Sequence, residues 1–218
     1  MRHYLSTGKH VVVTDDMQGK MEGMWSLNTS PSINPFCLKM RKGKNTICKS
    51  CYSHISEARF KYSKQAWINN YHVLSETILK DKDIPIFKQD IFRLQAHGDL
   101  INQTHYKNLI KIVEANPQTT FAIWSKNLPV IYKGGLIALP NLVYVYSTPQ
   151  LNEKYPTKPK GFNKCFSVYS RPYVEANKVQ INCALHCDSC RKCYTKEGET
   201  YINELIKSNG HRSGSKAL

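Results

Sequence analysis

No run of about 20 apolar residues occurs in this 218-residue chain, which excludes a membrane-spanning helix on hydropathy grounds. Residues 1–13 lack the apolar stretch of a signal peptide, so the chain is expected to be cytoplasmic, with no membrane partner. Internal repeats of solenoid length and low-complexity tracts are also missing, which leaves an ordinary folded domain. Acidic residues are scarce: 16 Asp and Glu stand against 31 Lys and Arg, a formal charge of +15. That excess points to a polyanionic partner, nucleic acid or a phosphorylated substrate. No reading helix or RNA-binding motif accompanies it.

Against these absences stand eight cysteines. In a reducing compartment they argue for metal rather than disulfides. Seven fall into two groups. Cys37, Cys48 and Cys51 read C-x10-C-x2-C followed by Tyr52, and Cys183, Cys187, Cys190 and Cys193 read C-x3-C-x2-C-x2-C followed by Tyr194. Only Cys165 stands apart, and it is expected to be a buried thiol. Four thiolates saturate a metal site, whereas three leave a position open for chemistry. At the first group a [4Fe–4S] cluster would keep one iron free. Zinc there would need a fourth ligand, for which His54, His10 and Cys165 are candidates. The crowding of the second group favours one cubane cluster over zinc, which usually draws ligand pairs from separated segments, and His186 is read as a neighbour. Metal-bound thiolates are anionic. Lys39, Arg41, Lys42, Lys44 and Lys49 in the first loop, and Arg191, Lys192 and Lys196 around the second, are therefore candidates to balance them.

The hydrophobic pattern predicts a short strand at 23–27, then a polar loop to 49 carrying the first cysteines. A helix is expected over 55–80, with Trp67, Tyr71, Leu74 and Ile78 on one face. A strand at 90–95 precedes a helix at 104–115, capped by Thr104, with Leu109, Ile110 and Val113 inward. Then come a strand at 119–124, a weaker helix at 127–138, a strand at 142–146, two further candidate strands at 165–169 and 178–181, and a closing helix at 199–207. This alternation predicts an α/β fold with a parallel sheet and right-handed crossovers, a partial (β/α)6-type barrel. Residues 1–182 are expected to form the α/β domain, including the first cysteine loop at 37–51. Residues 183–208 would form the second cysteine segment with the closing helix, and 209–218 a mobile tail.

In parallel α/β folds, ligands bind at the carboxyl ends of strands. The first cysteine loop, the turn His97-Gly98-Asp99, the segment Ser125-Lys126-Asn127, the pair Ser147-Thr148 and the second cysteine group each follow a candidate strand. All five are expected on one face, with the cysteine clusters at the C-terminal face of the sheet. In the turn after Arg93, Gly98 is expected to let the backbone approach a ligand, and Asp99 to accept a hydrogen bond from an ammonium group. Read alone, the same segment is an ordinary turn.

The segments Cys37 to Tyr52, Arg93 to Asp99 and Cys187 to Tyr194 resemble the phage-encoded gene product 88-like family. Its pattern is a cysteine loop ending Cys-x2-Cys-Tyr, an Arg-containing strand ending in Gly-Asp, and a C-terminal Cys-x2-Cys-x2-Cys-aromatic run. The arrangement also looks like a radical S-adenosylmethionine enzyme. Cys48, Cys51 and Tyr52 match the end of that superfamily's C-x3-C-x2-C loop, and His97-Gly98-Asp99 stands where it carries Gly-Gly-Glu. The gap from Cys37 to Cys48 is longer than that superfamily's usual spacing. The resemblance implies two [4Fe–4S] clusters on the seven grouped cysteines. It also implies S-adenosylmethionine held among Tyr52, Arg93, His97, Gly98, Asp99, Ser125, Lys126, Asn127 and Ser147. An electron donor such as flavodoxin or ferredoxin and the cytoplasm of a bacterial host follow from the same resemblance. Two other readings stay open: a zinc-binding, non-enzymatic nucleic-acid-binding protein, and a ferredoxin-like electron carrier.

Overall fold

Side chains alternate across the central strands so that both faces are apolar. Along Thr120–Ser125, Phe121 and Ile123 enter one buried cluster while Ala122 and Trp124 enter another. A strand covered on both sides reads as a near-continuous apolar run, which is why these segments were legible. The computed structural model describes residues 1–15 and 17–206. In it, β1 (Arg2–Tyr4), β2 (His10–Thr14), β3 (Trp25–Leu27), β4 (Ile91–Leu94), β5 (Thr120–Ser125), β6 (Leu142–Leu151), β7 (Lys164–Tyr169) and β8 (Tyr201–Leu205) form one open sheet in chain order. The pairs β1–β2 and β2–β3 are antiparallel, and every pair from β3 to β8 is parallel. The expected parallel sheet is present. The hairpin β1–β2, which the sequence did not suggest, extends it.

Three helices join β3 to β4: α1 (Pro35–Arg41), α2 (Tyr52–Arg59) and α3 (Lys61–Glu76). Single helices, α4 (Gln103–Glu114) and α5 (Leu128–Gly134), make the next two crossovers, and α6 (Arg171–Asn177) and α7 (Cys187–Cys190) lie between β7 and β8. One face of the sheet packs Phe92, Phe121 and Ile123 against Leu74 of α3, Leu109 of α4 and Ile131 of α5. The other face is Met24, Ile91, Ala122, Val143, Val145, Phe166 and Ile202, covered by Tyr194 with Cys183, Cys187 and Cys193. Among the described residues no helix is long and apolar enough to cross a membrane.

Several expectations are corrected. The helix expected over 55–80 is two helices, broken at Phe60, whose backbone is extended (φ −113°, ψ 96°). The buried seam of α3 is Trp67, Asn70, Val73 and Leu74, while Ile78 lies outside the helix and is exposed. Asn70 displaces Tyr71 from that seam because its amide accepts from Val12 N (2.8 Å) and donates to the carbonyls of Val12 (2.7 Å) and Asn28 (2.9 Å). The cap of α4 is Asn102, whose side chain accepts from His105 N at 2.9 Å, rather than Thr104. Residues 178–181 form no strand, and Lys178 ends α6 in the left-handed conformation (φ 50°). The expected helix at 199–207 is the strand β8, which pairs with β7 from Cys165 opposite Tyr201 to Tyr169 opposite Leu205. The tail at 209–218 lies outside the described residues.

Candidate metal and cofactor site

Because β3 to β8 run the same way, the loops leaving their carboxyl ends gather at one edge. There a cavity of about 220 Å³ opens between the two cysteine segments. Cys37, Cys48 and Cys51 line one part of it, and Cys183, Cys187 and Cys193 another. Tyr52, Arg93, Gly98, Asp99, Ser125, Lys126 and Ser147 complete much of the wall. His97, Asn127 and Cys190 do not line it. The second cysteine group occupies the crossover before the last strand, not a position after it, and Ser147 lies within β6, which runs on to Leu151 through an irregular register.

The first group is assembled from three local structures. Cys37 sits on α1, which starts at Pro35 and is capped by Asn34 accepting from Phe36 N at 3.0 Å. Cys48 lies in the 3-10 turn Ile47–Ser50, and Cys51 opens α2. Buried Glu57 of α2 bonds Ser30 Oγ and Ser32 N, fixing that helix to the loop before α1. Burial pushes the Cys37 and Cys48 thiols up, and Lys126 pulls both back down. Lys126 Nζ is held 2.9 Å from Ser147 Oγ.

The turn after β4 is more committed to the fold than its sequence suggests. Asp99 is buried, and its carboxylate accepts from Leu100 N (2.7 Å), Ser125 Oγ (2.6 Å) and Lys126 N (3.0 Å). Burial still raises it above the usual carboxylate range. Gly98 (φ 83°) faces the chain rather than open space: a Cβ there would stand 2.5 Å from both the carbonyl oxygen and Oγ1 of Thr29. His97 stacks on Trp67 at 4.2 Å, meets Tyr52 edge-on at 5.3 Å and bonds Ser53 Oγ through Nδ1 at 3.1 Å, behind the cavity wall. Asn127 donates to Leu100 O at 2.9 Å and joins the same two turns.

Around the second group, burial pushes Cys183 up to about 11 and Cys193 up to about 12, with Arg93 pulling Cys193 down. Of the cations expected to balance these thiolates, Lys192 does act on Cys190 and Cys183, while Arg191 and Lys196 are engaged elsewhere. Arg191 pairs with Asp90 and Asp188, Lys192 with Glu199, and Lys196 donates to Leu139 O. Three cations distant in sequence face the thiols as well. Lys20 donates to Cys183 O (2.7 Å) and Glu204 Oε1 (2.8 Å) and lies 3.8 Å from Cys183 Sγ. Arg93 and buried Lys164 both act on Cys193. Lys20 and Lys164 were missed from the sequence. Lys164 did carry a signal, a charge at the head of an apolar strand.

Cys165 is buried and pushed up to about 11 by that burial, with Glu153 and Lys158 as its charged neighbours. Of the three candidate fourth ligands for zinc, His54 lines the cavity, and its Nε2 is buried without a partner, whereas His10 and Cys165 lie outside the cavity wall. Among the described residues no three His, Cys, Asp or Glu side chains are arranged around a single metal ion. Tetrahedral zinc holds its sulfurs about 3.8 Å apart, so one ion at either group requires the thiols to draw together.

Compared with known proteins, the chain matches the family model for gene product 88 over residues 17–196, a span that includes both cysteine groups. No curated protein and no solved structure matches it.

Proposed function

The chain belongs to the gene product 88 family, and we propose that it is an iron–sulfur enzyme of radical S-adenosylmethionine type. The observation that carries this reading is the cavity lined by the three cysteines of the first group and by Cys183, Cys187 and Cys193 of the second, from opposite ends of the chain. The donor set suits the groups it would hold. Cys37, Cys48 and Cys51 would ligate a [4Fe–4S] cluster with one open iron, and Cys183, Cys187, Cys190 and Cys193 a second, closed cluster. The sequential order of parallel strands supports reading the sheet as an opened (β/α)6-type barrel, whose carboxyl edge is where such a site belongs.

When bound, the open cluster and S-adenosylmethionine supply reductive cleavage of the cofactor to a 5′-deoxyadenosyl radical, the electron coming from a flavodoxin- or ferredoxin-type donor. The chain supplies the surroundings. Lys126 sets positive charge beside Cys37 and Cys48. Asp99 has three of its roughly four acceptor positions filled by the fold, which leaves one for a cofactor ammonium group. Tyr52, Ser147 and the Gly98 turn wall the cavity, while His97 and Asn127 act from behind it by holding those turns. The apolar inner sheet face, with Phe166 and Val168, excludes water.

Anaerobically purified protein should contain about eight irons and eight sulfides per chain if both sites hold cubanes. It should form 5′-deoxyadenosine on reduction with S-adenosylmethionine, and Cys48→Ala should abolish that product. Unchanged cleavage by this variant would sink the mechanism. A second reading, a zinc protein that binds nucleic acid, draws on unpaired His54 Nε2 and on the exposed cations Arg41, Lys42, Lys44 and Lys49 around the first loop. It requires about two zincs, no iron, and affinity falling steeply with salt.

A further inference from the structure

Arg93 is buried with only part of its hydrogen-bonding capacity met by the fold. It lies on β4, where Ile91 and Arg93 face the cysteine-covered side of the sheet and Phe92 and Leu94 the helical side. Its residue exposure is 7%. The guanidinium lies 3.6 Å over the Trp124 ring, and its Nε has no hydrogen-bond partner. Trp124 Nε1 is likewise buried without a partner, and both residues line the cavity. Two adjacent N–H donors are thus left without an acceptor in one place, at a cost of about 1–3 kcal/mol each if nothing receives them.

The cavity's own carboxylates do not receive these N–H groups. Asp99 is held by Leu100, Ser125 and Lys126, and Glu204 by Lys20 at 2.8 Å. Metal-bound Cys193 would offset the charge of Arg93, but sulfur is a weak acceptor and would leave the N–H groups poorly paired. Among the described residues Arg93 has no carboxylate pair; its side-chain partner is the Tyr194 hydroxyl, which leaves Nε unmet.

We propose that the cavity recognises its substrate through an oxyanion, a carboxylate or a phosphate, received by Arg93 Nε and Trp124 Nε1. A planar guanidinium backed by an aromatic ring presents a fixed fork that suits either group. The inference does not depend on which metal the cysteines hold.

The test is calorimetric titration of the metal-loaded protein, at constant ionic strength, with malonate in one arm and inorganic phosphate in the other. One of them should bind saturably at one site, and the arm that binds identifies the oxyanion. Arg93→Met should weaken that binding at least tenfold with metal content unchanged. Arg93→Lys, which keeps the charge and loses the fork, should also weaken it, and Trp124→Phe should weaken it severalfold. Should Arg93→Met fail to fold, the Lys and Phe variants decide the matter. Absence of saturable binding by either anion overturns the proposal, as does undiminished binding by these variants. Loss of metal from Arg93→Met or Arg93→Lys would overturn it too, by making Arg93 the counter-charge of the second cysteine group.

Discussion

Replacing Gly98 with alanine separates two roles for the turn that carries Asp99. If Gly98 exists to admit a ligand, the substitution costs the ligand-free fold only the price of a left-handed alanine, about 1–2 kcal/mol. The structure argues for more. The new Cβ would lie 2.5 Å from two atoms of Thr29, about 1 Å short of ordinary contact. Thr29 cannot simply retreat, because its N–H donates to His97 O (3.2 Å) and its hydroxyl to Gln95 Oε1 (2.9 Å). Forcing the two turns apart forfeits both bonds at about 1 kcal/mol each, so Gly98→Ala should cost about 3–4 kcal/mol. Gly23 is the matched control, with φ 82° against 83° and nothing within 4 Å of its would-be Cβ. Gly23→Ala should cost only about 1–2 kcal/mol. At this chain length the difference corresponds to a gap of about 4–8 °C in Tm, readable by anaerobic thermal unfolding followed by circular dichroism. Equal losses in the two variants would refute the close approach of the Thr29 loop.

Ser125→Ala should destabilise by about 2–3 kcal/mol in denaturant titrations, because Ser125 Oγ both donates to Asp99 and accepts from Asn127 N at 2.9 Å. His105 should make the fold acid-sensitive. Complete burial depresses it from 6.5 to about 3, so the neutral ring's stability is fully present above pH 6.5 and is lost as pH falls from there towards about 3. Relative to His105→Gln, the wild-type chain should lose about 1.4 kcal/mol per pH unit in urea unfolding below pH 6.5, and parallel pH profiles would exclude this origin. Lys20→Met should lower metal retention at the second cysteine group, because Lys20 ties Cys183 O to Glu204. Lys192→Met, which removes an exposed, solvent-screened cation paired with Glu199, should lower it less in the same measurement.

Strands β4 to β7 and helix α4 were readable because long apolar runs and a 3.6-residue period are properties of the segment itself. Strand β8 was not. Tyr201, Ile202, Leu205 and Ile206 fit one side of a helix as well as they fit a strand, and five residues are too few for period to decide. Pairing along the whole of β7 decided it. Asn70 and Asn102 were passed over for a related reason. A buried asparagine amide that satisfies strand carbonyls, or caps a helix, looks like any polar residue until its partners are known. The place of the first cysteine group beside the turns after β4 and β5 was legible, because parallel strands in chain order deliver their loops to one edge, whereas the second group lies in the crossover from β7 to β8 and packs on the sheet face. The roles of His97 and Gly98 were not, because the loop they pack against follows a strand more than sixty residues earlier.

Charge placement shows how far sequence proximity misleads here. The cations nearest the second cysteine group in sequence are satisfied by carboxylates and a carbonyl at the surface, while Lys20, Arg93 and Lys164 reach it from three other elements. Burying Arg93 and Lys164 is costly unless negative charge arrives to offset them. For Lys164 the fold supplies the carbonyls of Glu197 and Glu199. For Arg93 it supplies an aromatic face and the Tyr194 hydroxyl and leaves Nε unpaired. This strand position thus holds a buried cation whose Nε the fold leaves without an acceptor. That local conflict is the kind a fold retains at a working site.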